Sequence, residues 1–196
     1  MNLTELCNEV YTLTNRSDLV AETKAAVRSA TLKLHQIDYF YKDLYETGVL
    51  FSPAAYKQEI EYRTLIPRFR SLKYIRKADS TGAGLDFLEV LTIPEQIVDS
   101  YKINKTDVCY AAGSVIQIYS STELAYAILG CYIAPDITEA TFNSWIAVDH
   151  PFAIIYEAAA KVFKMTGKTE EFAAHTAMAA DERAAVIVSN IQAVGY

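Results

Sequence analysis

Apolar residues recur at three- and four-residue steps at both ends of the chain. The stretch between them is dense in Tyr, Val and Ile and has no such period. That division predicts an α+β fold, with a helical core that carries an antiparallel β-rich region. Leu3, Leu6, Val10 and Leu13 form one helical face, and Asn2 and Glu5 stand in a capping relation. Beyond the polar break Asn15 to Asp18, the residues Val20, Val27, Ala30, Leu34 and Ile37 mark a second helix. Ser17 or Asp18 is its expected cap, and it ends near Ile37. At the other end Pro151 suits a helix N1 position with Asp149 as cap, Gly167 suits a stop, and Thr169 suits the next cap. The helical parts are thus expected over about 2–37 and 150–192, the β-rich part over about 39–135, and the whole as one domain.

Within the middle, Tyr39 to Tyr45, Tyr56 to Ile66 and Phe69 to Ile75 read as strands, with Pro67 at a strand start or edge. Asp79 to Gly84 reads as a turn and Phe87 to Leu91 as a further strand. Thr92-Ile93-Pro94-Glu95 has the form of a capping box with an early proline, which predicts a short helix to about Ser100. Val108 to Ala111 and Val115 to Tyr119 flank Gly113-Ser114, the signature of a II′-type hairpin. Leu124 to Ile128 would add a third strand and make a β-meander closed by Pro135.

Chemistry-bearing patterns are sparse. The 196 residues are 52% hydrophobic, so the chain is long and apolar enough to bury a core and is not a disordered one. No apolar run approaches the roughly 20 residues of a membrane span, and residues 1–20 hold no apolar signal core. Cys7, Cys109 and Cys131 form no C-x-x-C pair and read as reduced, buried hydrophobes of a protein made in the cytoplasm. His35, His150 and His175 lie far apart and none has a partner four residues away, so neither a metal site nor another cofactor is expected. Gly167-Lys168-Thr169 imitates the end of a phosphate loop, but position 162 is Val rather than the required glycine. No catalytic motif is present and no catalytic residue is assigned; a carboxylate dyad assembled in space would be invisible at this level.

Two segments stand out as possible surfaces. Residues 63–77 carry Arg63, Arg68, Arg70, Lys73, Arg76 and Lys77 with no acid, in a chain whose net charge is −6. On a strand, Arg68, Arg70 and, one step out of phase, Lys73 would project mainly to one face. That face could meet a neighbouring subunit or solvent; with Tyr62, Phe69 and Tyr74 interleaved, it could instead stack single-stranded nucleic acid. The second segment is a seam in the last helix: Ala173, Ala177, Ala180, Ala184, Ile187, Ile191 and Val194. It packs either within the subunit or, through its C-terminal part, on another protein. Fourteen tyrosines supply flat contact area with polar tips, as interfaces favour.

The order of segments resembles the head-to-tail adaptor (connector) proteins of tailed bacteriophages. The resemblance is carried by Ile66-Pro67-Arg68-Phe69, by Tyr110-Ala111-Ala112-Gly113-Ser114-Val115-Ile116-Gln117-Ile118, by Tyr132-Ile133-Ala134-Pro135-Asp136-Ile137-Thr138, and by Ser144-Trp145-Ile146-Ala147-Val148-Asp149-His150-Pro151. It implies a non-enzymatic virion protein at the head–tail junction, with no cofactor and no membrane contact. Twelve copies would form a ring beneath the portal protein and around the channel through which genomic DNA leaves. A tail nozzle or tube protein would follow. The family's C-terminal segment reaches into the portal, which points here to Ile187, Ile191, Val194 and Tyr196. The alternative is a nucleic-acid-binding protein that uses residues 63–77.

Overall fold

A computed structural model describes residues 1–78 and 83–194. In chain order the elements are α1 (Leu3–Thr14), α2 (Val20–Gln36), a 3₁₀ turn (Tyr41–Asp43), β1 (Leu44–Ile60), α3 (Tyr62–Leu65), β2 (Phe69–Ala78), β3 (Gly84–Val90), α4 (Pro94–Lys102), β4 (Val108–Ala112), β5 (Val115–Ile133), α5 (Trp145–Asp149), α6 (Pro151–Met165) and α7 (Thr169–Val194). The fold is mixed α+β. It divides into two compact units, Met1–Asp43 with Ala134–Tyr196, and Leu44–Ile133.

The helical unit is built around α6. Ala153, Ile154, Ile155, Ala158, Ala159, Val162 and Phe163 are all buried, so α6 is apolar on nearly every side and lies among α1, α2 and α7. Burial of each large aliphatic side chain there contributes about 1.5–3 kcal/mol. Leu6 and Val10 of α1, Val27, Ala30 and Leu34 of α2, and Val186 of α7 complete this core. The one carboxylate on the buried side of α6, Glu157, is met by Lys33 of α2 at 2.6 Å and Arg183 of α7 at 3.1 Å.

The helix ends follow the sequence in part. Asn2 and Glu5 form a reciprocal capping box, with N···O distances of 2.9 and 2.8 Å. Pro151 opens α6, and Gly167 (φ 74°) closes it. There the Lys168 N–H reaches the Phe163 carbonyl and the Gly167 N–H the Lys164 carbonyl, the paired bonds of a Schellman stop. Three expected caps are displaced. Leu19 precedes α2 without a side-chain cap, because Asp18 is held by Arg16 at 2.8 Å. His150 rather than Asp149 precedes α6, since Asp149 ends α5 and binds Lys42 at 2.6 Å. Thr169 is the first residue of α7 rather than its cap, as the Lys168 carbonyl accepts from Phe172.

The sheet unit has strand order β1-β5-β2-β3-β4, and β4 also returns to pair with β5. Every ladder is antiparallel except β3–β4, which is parallel. The Gly113-Ser114 turn has positive φ at Gly113 (64°) and not at Ser114, as a II′ turn requires. The strand after it departs from the expected meander. Val115–Tyr119 and Leu124–Ile128 are one 19-residue strand, β5, because β1 pairs with both halves. Tyr39 to Tyr41 is not a strand. Tyr62 to Leu65 is a short helix, with Tyr62 buried against Phe69 at 4.2 Å. Thr92 does not cap α4, since Ile93 occupies that position and Pro94 is N1; α4 runs to Lys102. Most of the expected turn at Asp79 to Gly84 lies outside the described residues.

On one face of the sheet Ile75, Leu88, Ala127, Leu129 and Cys131 form the core. On the other, glycines admit aromatic rings. A Cβ at Gly130 would lie 2.4–2.7 Å from three ring atoms of Tyr74, and a Cβ at Gly48 would meet the Tyr126 phenol. Both glycines thus serve close packing within the sheet.

Candidate functional site

The six basic residues do not share a face. Arg63 is in α3 and Arg68 in the turn before β2; only Arg70, Lys73, Arg76 and Lys77 lie on the strand. The β2–β5 register shifts between Phe69 and Ser71 and again between Leu72 and Tyr74, so Arg70 and Lys73 occupy irregular positions. Past them Ile75 and Lys77 turn to the core face and Arg76 to the other. Lys77 is buried and consumed by Asp107 at 2.9 Å. Lys73 lies 6.0 Å from the centre of the Tyr132 ring. Tyr62, expected as a stacking ring, is buried.

Asp107 has a second role. Its carboxylate also accepts from the Ser121 N–H at 3.0 Å. Burial pushes its pKa up, but hydrogen bonds from Ser121 and Lys77 outweigh that and bring it to about 2. The pair anchors the 103–107 loop, where Asn104 and Asp107 both have positive φ. The loop borders a cleft of about 260 Å³ lined by Tyr56, Lys57, Tyr101, Asn104, Thr106 and Tyr119 among others. Tyr101 bonds to Tyr110 and, at 3.2 Å, to Tyr119; the Lys57 ammonium lies 5.0 Å from the centre of the Tyr119 ring. Hydrogen bonds from Tyr110 and Tyr119 lower the Tyr101 pKa.

A buried polar chain links the helical unit, and sequence reasoning missed it. Asp43 accepts from Trp145 Nε1 at 2.9 Å and lies 2.9 Å from His35 Nδ1; His35 Nε2 lies 2.8 Å from Ser144 Oγ. A carboxylate only accepts, so Nδ1 is the donor there, and in the neutral ring Nε2 takes the Ser144 hydroxyl. The order Asp–His–Ser is that of an acyl-transfer triad. Its setting is not. Ser144 is 4% exposed, and its oxygen also accepts from Ala147 N–H to cap α5. A substrate carbonyl has no approach to it, and the arrangement ties α2, the 3₁₀ turn and α5 together. One signal was available: His35 follows Leu34 on the buried side of α2, a titratable ring where the pattern calls for an apolar residue.

The α7 seam is turned outward. Ala173, Ala177, Ala180 and Ala184 are exposed, Ile187 is half-buried and Ile191 is 47% exposed. The buried side is offset from it and runs through Phe172, His175, Ala179, Arg183 and Val186. The phase is set by larger groups: His175 packs on Phe163 (4.8 Å between centroids), and Arg183 reaches Glu157. The four alanines and Ile191 therefore do not pack into the core of their own helical unit, whereas Ile187 does so in part. Only the backbone of Val194 is described, and Tyr196 lies outside the described residues.

The three cysteines are free and buried. Burial pushes the Cys109 thiol to about 12 and the Cys131 thiol to about 11, which suppresses thiolate chemistry. Among the described residues no three His, Cys, Asp or Glu side chains converge as a metal ion would need, and no helix is long and apolar enough to cross a membrane. No known family and no curated protein matches the chain.

Proposed function

We propose that this chain is a structural virion protein, a head-to-tail adaptor whose copies form a ring beneath the portal of a tailed bacteriophage. The observation that carries the reading is the outward seam of α7. A helix that turns its small and aliphatic residues to solvent, at coiled-coil spacing, is suited to a helical partner that approaches closely. Its far end holds Ile187 and Ile191, with Val194 and Tyr196 beyond. These are the residues assigned to the portal.

The remaining chemistry agrees with a connector. A closed ring needs two different faces on each subunit, and the chain offers separate exposed apolar surfaces on its helices and on its strands. A net charge of −6 per copy disfavours retention of DNA in the exit channel. The next partner is a tail nozzle or tube protein, and the site of action is the head–tail junction of the virion. A nucleic-acid-binding role through residues 63–77 draws no support from the placement of those six bases, which do not form a continuous strip.

The test is a truncation. A chain ending at Val186 keeps the buried core around α6 and all but the last turns of α7, so it is expected to fold but not to dock on the cognate portal ring. Circular dichroism reads the first property and co-sedimentation with the portal the second. Docking of the folded truncation at the full-length level would overturn the assignment of Ile187, Ile191, Val194 and Tyr196.

A further inference from the structure

We infer that copies of this chain associate head to tail by strand pairing, the β1 edge of one copy against the β3 edge of the next. The inference deepens the ring reading above and rests on it. Residues 44–50 of β1 pair with 126–132 of β5, which pairs on its other side with 71–78 of β2, and β2 pairs with 84–88 of β3. This part of the sheet has four strands. β4 meets β3 only at Glu89 and Val90, so the outer edge of 84–88 has no ladder partner among the described residues, and neither has the outer edge of β1. Unpaired N–H and C=O groups along both edges are a template for another strand.

Two independent observations name the occupant. The first is direction. Every step from β1 to β5 to β2 to β3 is antiparallel, so β3 runs opposite to β1. A second copy placed with its β1 beside β3 continues the alternation without a break, and this contact joins two different edges, as a ring requires. The second is apolar exposure. Among the described side chains, the exposed large apolar ones on strands are Leu44, Tyr45, Leu50 and Tyr56 of β1 and Phe87 of β3. None is on β2, β4 or β5. Leu50 (75% exposed) and Phe87 (63%) are the extremes, and both project from the face opposite the core: Leu50 pairs with Tyr126 and Phe87 with Arg76, each one residue out of phase with the buried Ala127 and Ile75. Segment 44–50 carries one charge, Glu46, and segment 84–88 carries one, Asp86. Two carboxylates and no cation keep the pairing weak between free chains and leave it to be completed where copies are concentrated on a scaffold.

The proposal makes a complementation prediction for purified full-length protein in sedimentation velocity from micromolar to millimolar concentration. Wild type is expected to associate progressively. Leu50→Asp spoils the β1 edge and Phe87→Asp the β3 edge, so each variant alone is expected to remain monomeric. Their mixture retains one intact edge from each and is expected to form a 1:1 heterodimer and nothing larger. Both side chains are largely solvent-exposed, and wild-type circular dichroism with a cooperative melt verifies that the variants are folded. A wild type that stays monomeric throughout, either variant associating alone like wild type, or a mixture that forms no heterodimer would each overturn the strand pairing. Such a result with portal docking intact leaves the adaptor reading standing; lost docking with intact complementation removes the adaptor reading and leaves the pairing.

Discussion

Asp43→Ala is expected to lower the stability of the protein by about 2–4 kcal/mol. Asp43 and His35 are 5% and 1% exposed, and the carboxylate accepts from both His35 Nδ1 and Trp145 Nε1. Alanine leaves these two donors in a site that water does not reach, so the loss includes their desolvation as well as the hydrogen bonds. Asp43→Asn retains a carbonyl oxygen in place and is expected to lose only about 1–2 kcal/mol, because one acceptor survives. Urea denaturation followed by the fluorescence of the single tryptophan, Trp145, and by circular dichroism measures both values. A loss below about 1 kcal/mol for the alanine variant would mean that the chain of bonds from Asp43 to Ser144 does not hold α2 and α5 together.

Gly130→Val is expected to be the other severe substitution, at about 3 kcal/mol, the upper end of ordinary overpacking. Gly130 lies in β5 between β1 and β2, and a Cβ there falls within 2.4–2.7 Å of the Tyr74 ring. Phe87 packs edge-on against that ring with centroids 5.4 Å apart, so a shift of Tyr74 also disturbs this contact. The diagnostic result is coupling. In a Tyr74→Ala background the same valine is expected to cost far less, because the obstruction is gone. Equal losses in both backgrounds, measured by denaturant midpoints, would show that the glycine is needed for some reason other than the ring that covers it.

The parts of the fold legible in the sequence are those written locally. The Asn2–Glu5 box, the Pro151 start, the Gly167 stop and the Gly113-Ser114 turn each depend on a few adjacent residues, and each is present. The failures share a different cause. The expected strands stop at Tyr119 and resume at Leu124, yet β5 runs through the gap because β1 supplies a partner on both sides. Tyr62 and Leu65 have strand chemistry but form a turn of helix whose tyrosine hydroxyl donates to the Gly113 carbonyl at 2.7 Å. The α7 seam has the most regular spacing in the chain and faces outward, because an aromatic contact at His175 and an ion pair at Arg183 outweigh alanine methyls in choosing which side is buried. The His35 chain joins residues 8 and 109 positions apart, and no local pattern encodes it. Periodicity thus located the helices and left their orientation to the heaviest side chains.

The chain is proposed to act by fitting between a portal and a tail. Mass photometry of the cognate portal ring, with and without excess purified protein, tests it most directly. A discrete heavier species is expected, whose added mass is a whole multiple of 21.9 kDa and corresponds to about twelve copies for a ring like those of head-to-tail adaptors. A portal peak that stays at its original mass in saturating protein would contradict the claim.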